Sequence, residues 1–158
     1  MTSFRIGAIV VALGVGALVL VPASATNFTS VPSSEIKWVD APSIGPGAKT
    51  AVIEGDPKGT GPFVMRLKVP PNTKIGVHTH PADENVTVLS GTLYFAASDK
   101  YDAKAAKAFD TGSYFSIAKG KPMFAYTKNK EAVLQLHGTG PWGITYADPA
   151  DAAPKKKS

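Results

Sequence analysis

Gly76-Val77-His78-Thr79-His80-Pro81-Ala82-Asp83-Glu84-Asn85-Val86-Thr87-Val88-Leu89-Ser90-Gly91 is the stretch whose reading decides the rest of the chain. His78 and His80 stand two apart, so on a β-strand they point to the same face. Pro81-Ala82-Asp83 is a turn signal, and after it the chain can reverse and aim the Glu84 carboxylate back at the imidazoles. Two imidazoles and one carboxylate make a set of three ligands for a divalent transition metal. Imidazole suits zinc, copper, iron and nickel, and an added carboxylate is typical of iron, manganese or nickel sites. The bland reading of such a pair is two surface or hydrogen-bonded histidines. The apolar β-rich runs on either side, with Glu84 and Gly91 at fixed offsets, favour the metal.

Outward from this stretch the chain reads as short strands. Phe63 to Val69 alternates, with Phe63, Met65, Leu67 and Val69 on one face, which is a half-buried strand of an antiparallel sheet. Lys74 to His80 carries the histidines. Asn85 to Ser90 and Thr92 to Ala97 read as two strands of a hairpin joined at Ser90-Gly91. Upstream, Ile36 to Val39 and Ala51 to Glu54 are short strands separated by the Pro- and Gly-punctuated loop from Ala41 to Lys49. Downstream, Asp99 to Phe109, rich in Ala and Lys, reads as a short helix or an ordered loop. Ser113 to Ile117, Met123 to Thr127, Ala132 to His137 and Ile144 to Tyr146 complete the strands. Many short strands with Gly and Pro turns and little helix predict an all-β sandwich or barrel.

The spacing H-x-H-x3-E-x6-G resembles the first motif of the cupins, small antiparallel β-barrels of the jelly-roll kind. The resemblance implies a metal held between two sheets by His78, His80 and Glu84. The family's leading glycine falls at Asn72, so that element is absent. The family's second motif, G-x5-P-x-G-x2-H-x3-N, fits the frame from Gly112 to Thr127. Gly112 and Gly120 are in place, Ala118 stands for the proline, Thr127 for the asparagine, and Met123 for the ligand histidine. Three outcomes are open for Met123: core packing, a soft thioether ligand favouring copper(I), or a ligand position supplied from elsewhere. His137 is the third and last histidine of the chain. It shares a strand face with Val133 and Gln135; if that face looks inward, His137 is a fourth metal ligand and Gln135 a substrate contact. Otherwise His137 is a strand-end residue at the Gly138 turn. Met123 and Tyr126 are further candidates for contact with substrate. Phe63, Met65, Phe95, Phe115, Phe124 and Tyr126 are candidates for a pocket wall. Val133 to Tyr146 and E-x-V-T-V-L-S-G-T-L at Glu84 to Leu93 look like a subgroup of small single-domain cupins. The resemblance covers Glu35 to Pro149 and names no reaction.

The chain begins with a targeting pattern: Arg5, an apolar run from Ile6 to Val21, and Ala23-Ser24-Ala25 as a cleavage site. Residues 1–25 are thus read as a signal peptide, with an uncleaved anchor as the alternative, and a periplasmic or secreted protein is expected. Residues 26–34 read as a flexible leader, 35–149 as the barrel, and 150–158 as a disordered basic tail. About 130 residues remain after cleavage, enough for one domain with a real core. There is no cysteine, so the exported chain relies on its core or on a metal rather than on disulfides. The balance of 17 Lys and Arg against 12 Asp and Glu is mildly basic. That excess lies partly in Lys155-Lys156-Lys157 rather than on an aromatic-laced face, which argues against nucleic acid. A small-molecule ligand is the expected partner, with no stable membrane insertion after cleavage. The resemblance also implies a homodimer through edge strands. The function expected is an exported metal-binding barrel; if it is an enzyme, the metal acts as a Lewis acid or binds dioxygen beside a small organic substrate. The alternatives are a non-catalytic binding or sensing module, and a degenerate barrel with a structural role.

Overall fold

Alternation in Phe63 to Val69 is borne out side chain by side chain. Phe63, Met65, Leu67 and Val69 are buried, and Val64, Arg66 and Lys68 between them are half-buried. The computed structural model describes residues 28–152, so the targeting segment and Lys155 to Lys157 lie outside the described residues. Eleven strands run through the described part. They are β1 (Val39–Asp40), β2 (Lys49–Gly55), β3 (Pro62–Val69), β4 (Lys74–Thr79), β5 (Glu84–Ser90), β6 (Thr92–Ala96), β7 (Lys107–Asp110), β8 (Tyr114–Ile117), β9 (Met123–Tyr126), β10 (Ala132–Thr139) and β11 (Thr145–Tyr146). They form two antiparallel sheets that face each other. The larger has the order β1-β2-β3-β10-β5-β8, the smaller β11-β4-β9-β6-β7. This is the all-β jelly roll expected from the sequence.

Between the sheets lies one apolar core. Leu67 and Val69 of β3, Val86 and Val88 of β5 and Leu134 and Leu136 of β10 face Ile75 of β4, Leu93 of β6 and Ala125 of β9. Each fully buried Val, Leu or Phe side chain contributes about 1.5–3 kcal/mol, so this layer supplies the stability that disulfides do not.

The structure refines the local expectations at several points. Ser90-Gly91 does not close a hairpin: β5 pairs with β8 and β10, whereas β6 pairs with β7 and β9. The turn instead carries the chain from one sheet to the other. Gly91 sits there at φ +76°, with the Glu131 carbonyl where a side chain would begin, and only glycine fits both demands. Of the two readings of Asp99 to Phe109, the ordered loop holds as far as residue 106, and β7 begins at Lys107. Its Ala-Lys composition favours helix weakly, and pairing of Lys107 to Asp110 with β6 overrides it. Order also extends past residue 150, because Pro149–Ala152 is a 3-10 turn with the Asp151 carboxylate packed against Gly76. At the N-terminal side, Ser33–Glu35 is likewise a 3-10 turn, and the first strand starts at Val39 rather than Ile36.

Asn72 takes φ +55° where the resembled motif has glycine. Asparagine is the non-glycine residue that tolerates this left-handed turn best. The frame therefore keeps its bend without its glycine.

Candidate functional site

β4 belongs to the smaller sheet and β5 to the larger, so the Pro81-Ala82-Asp83 turn spans the gap between them. Glu84 thus looks across the sandwich at the histidines. In β4 the register against β9 slips between Ile75 and His78. Such a bulge shifts the side-chain parity by one, and so Ile75 and His78 both face inward. His78, His80 and Glu84 are 5%, 4% and 6% exposed, which is unusual burial for three ionisable side chains.

Backbone carbonyls hold both imidazoles. His78 donates from Nδ1 to the Gly76 carbonyl at 2.7 Å, and His80 from Nδ1 to the Gly143 carbonyl at 2.5 Å. A carbonyl oxygen only accepts, so the proton of each neutral ring sits on Nδ1 and the lone pair is at Nε2. Burial drives the His78 pKa down to about 4, against the Gly76 hydrogen bond that favours the charged form, and lowers that of His80 for the same reason. Both rings are therefore neutral at pH 7. Glu84 is opposite in sense: burial pushes its carboxyl up to about 7. His80 Nε2 stands 3.6 Å from Glu84 Oε1, and the two imidazole rings meet edge to face at 5.0 Å between centroids.

Residues 140–147 close over this cluster. Trp142 stacks on His80, with centroids 4.6 Å apart and planes 15° from parallel. Gly143 gives His80 its acceptor. Tyr146, paired with His78 across β11 and β4, lies 5.7 Å from that imidazole and donates its hydroxyl proton to the Ser43 carbonyl at 2.9 Å. Nothing in the two motifs marks Trp142, Gly143 or Tyr146. The one sequence signal is an aromatic residue set in the Gly-rich run G-T-G-P-W-G.

The cavity has a volume of about 40 Å³ and is bordered by His78, His80, Glu84, Phe115, Met123 and Trp142, with apolar residues making up most of the rest. Of the wall candidates, Phe95 and Phe115 line it. Phe63 and Met65 belong to the core beside it. Met123 lines it too, 1% exposed and directly opposite His78 in the β4–β9 register. Phe124 and Tyr126 alternate to the outer face of β9. There Tyr126 stacks on Tyr94 at 4.9 Å, and Tyr101 covers Phe124 at 4.6 Å. Tyr126 is thus not brought to the cavity.

His137 and Gln135 are not brought to it either. Along β10 the buried side chains are Leu134 and Leu136, which line the cavity, so the intervening Gln135 and His137 point the other way. Gln135 accepts from Arg66 Nε at 3.2 Å on that outer surface. The inward-looking face of this strand is the leucine face, and a fourth ligand from His137 is excluded by strand parity alone.

The donor set fits a divalent metal in its chemistry: two neutral imidazoles with outward lone pairs, and a carboxylate buried without a cationic partner. Anchoring of the second ring nitrogen on a carbonyl is how metal-binding histidines are held. As the side chains stand, no group of three or more His, Asp or Glu among the described residues is drawn close enough to grip an ion.

Residues 22–143 match the family model described as a domain of unknown function, DUF4437. No curated protein matches the sequence. Among solved structures, the polyketide cyclase RemF from Streptomyces resistomycificus is similar with a TM-score of 0.64 at 15% identity, over 77% of this chain and 86% of that one. An RmlC-like cupin from Ralstonia eutropha JMP134 is similar with a TM-score of 0.61 at 13% identity, over 77% and 74%. The DMSP lyase DddQ from Ruegeria pomeroyi DSS-3 has a TM-score of 0.57 at 13% identity, over 72% of this chain and 62% of that one. At such identities the likeness is one of fold, and the fold shared is the cupin jelly roll.

Proposed function

The chain belongs to the DUF4437 family of unknown function, and we propose that its barrel binds one divalent transition metal through His78, His80 and Glu84 and uses it on a small molecule. The observation that supports this reading is the pair of Nδ1 anchors around a buried carboxylate. Two histidines and one carboxylate suit iron, manganese or nickel, with zinc and copper as the other candidates. When bound, such a metal supplies Lewis-acid activation of a coordinated molecule. Polyketide cyclase and DMSP lyase activities occur on this fold, but a fold carries no reaction by itself.

The chain's own residues have definite parts in this reading. Gly76 and Gly143 fix the ring orientations of His78 and His80, so that each Nε2 is presented as a donor without a tautomer change. In the metal-free site burial pushes the Glu84 carboxyl up to about 7; a bound cation would hold it ionised, and Glu84 could take up a proton from a molecule in the cavity only on leaving the metal. Trp142, Phe115 and Met123 keep bulk water away, and the low polarity of the walls strengthens every charge interaction inside.

A second reading, a binding module without turnover, is favoured by the cavity's size. About 40 Å³ is far below the roughly 300–1,000 Å³ of pockets that hold drug-sized molecules. Either the molecule acted on is very small, or residues 140–147 move aside. We extend the proposal to an exported protein on the strength of Arg5, the apolar run to Val21 and Ala23-Ser24-Ala25.

Elemental analysis of the protein purified from its exported fraction tests the metal. One equivalent in the wild type, lost in His78→Ala, is the expected result. A metal-free wild type after supplementation with iron, manganese, nickel, zinc and copper would refute the reading. Fractionation of the full chain, with cleavage after Ala25 read by mass, tests the location.

A further inference from the structure

Trp142 Nε1 is shielded from solvent and has no acceptor, alone in this respect among the buried side-chain nitrogens and oxygens of the described residues. The buried hydroxyl of Thr127, by contrast, is bonded on both sides, donating to the Pro70 carbonyl and accepting from the Thr73 amide. An unmet buried donor is costly, and native proteins keep one where something else completes it. The indole is also firmly placed. Its backbone amide donates to the Pro57 carbonyl at 2.6 Å and Gly140 donates to the Gly61 carbonyl at 2.9 Å. The ring lies between His80 and Phe63, the latter 6.0 Å away and tilted by 54°. Trp142 borders the same cavity as His78, His80 and Glu84.

We propose that Trp142 Nε1–H is the hydrogen-bond donor for a compact acceptor ligand of two or three non-hydrogen atoms, a carboxylate of formate size, seated in this cavity beside the metal. The inference rests on the metal reading, since a cation at His78, His80 and Glu84 is what would hold an anion among apolar walls. Size sets the ligand class. One water needs roughly 10–15 Å³ of such free space, so a cavity of about 40 Å³ matches a ligand of about three non-hydrogen atoms. Chemistry sets the rest: the leucine, phenylalanine and methionine side chains of the lining offer no competing donor, which leaves the indole N–H as the donor beside His78, His80 and Glu84.

The test uses zinc, which is diamagnetic, and formate as the probe. Trp38 and Trp142 are the two tryptophans, so a Trp38→Phe protein shows one indole N–H resonance in a proton–nitrogen spectrum. Expected is a saturable downfield shift of that resonance when formate is added to the zinc-loaded protein, and none in the zinc-free protein. Trp142→Phe, which keeps an aromatic ring on His80, should weaken formate about tenfold while zinc affinity stays within about twofold. Formate that binds with the indole resonance unmoved, or equally well to Trp142→Phe, overturns the proposal; the N–H then points at the face of Phe63. Failure of formate to bind a zinc-loaded protein also overturns it and leaves the metal reading standing. Failure to take up zinc overturns both. The resonance shift needs no change at Trp142, so it decides the matter even if Trp142→Phe folds poorly.

Discussion

His78 and Met123 face each other across the seam between β4 and β9, in register and buried to 5% and 1%. Each stands at the ligand position of its stretch, the first from Gly76 to Gly91 and the second from Gly112 to Thr127. Gly112 and Gly120 both hold positive φ, at +87° and +72°, so the second stretch keeps its turns. What differs is the demand each side chain makes. His78 needs the Gly76 carbonyl to be tolerable in the interior, and the bulge in β4 frees that carbonyl. Met123 needs no partner and simply fills space. Glycines therefore fix the path of the strands, and the chemistry at the seam is set separately, by one side chain on each side.

Experiments can break or sharpen this contrast. Met123→Ala should cost about 3 kcal/mol of stability through the cavity it leaves, read by denaturant unfolding, with metal affinity kept. Loss of metal instead would make Met123 a thioether ligand and erase the contrast. His78→Ala should do the reverse: metal affinity falls about 100-fold or more, roughly 2.7 kcal/mol, measured by competition with a chromophoric chelator.

The third test is acid. Unfolded His78 takes up a proton near 6.5, whereas the folded ring resists it until about 4, so acidification through that window favours unfolding. Glu84 works the other way: the folded carboxyl stays protonated up to about 7 while the unfolded one ionises near 4.5, so stability from Glu84 is lost as pH rises. In the metal-free wild type the two offset each other between 4.5 and 6.5. Glu84→Gln removes the offset, and the variant should lose about 2 kcal/mol between pH 6.5 and 4.5. A thermal-melting series shows this directly, and a flat profile would deny the histidine its burial cost.

Met123→His places a third imidazole opposite His78. It should tighten nickel or zinc on the order of tenfold; no gain would mean that the seam does not converge on the ion. Smallest of all, His137→Ala should change stability by less than about 0.5 kcal/mol and metal content not at all, because its side chain is on the outer face of β10.

The sequence was most readable where period and turn chemistry agree, as in β3, β4 and β9, whose bounds fall within a residue or so of the alternating runs. It was least readable where the decision is tertiary. Ser90-Gly91 carries a hairpin signal, yet only the position of the other sheet decides whether the turn closes a pair or crosses a gap. The parity of β10 is another such case: Val133, Gln135 and His137 alternate as cleanly as Leu134 and Leu136, and polarity alone should have given the leucines to the core. The anchoring role of Gly143 is not legible in the sequence because a carbonyl acceptor leaves no trace in residue identity. Asn72 shows the reverse, a motif residue lost while its backbone conformation is kept.

The anchor on His80 has a consequence in time. Gly143 lies 63 residues after the imidazole it holds, and β11 is the last strand of the described chain. A chain that emerges from its N-terminus can pair β3 and lay down β4 and β5 long before that carbonyl exists. The ring of His80 is free to turn until the final stretch arrives. The centre is thus finished last, and a chain cut short before residue 143 would carry all three donors and still lack the means to aim His80.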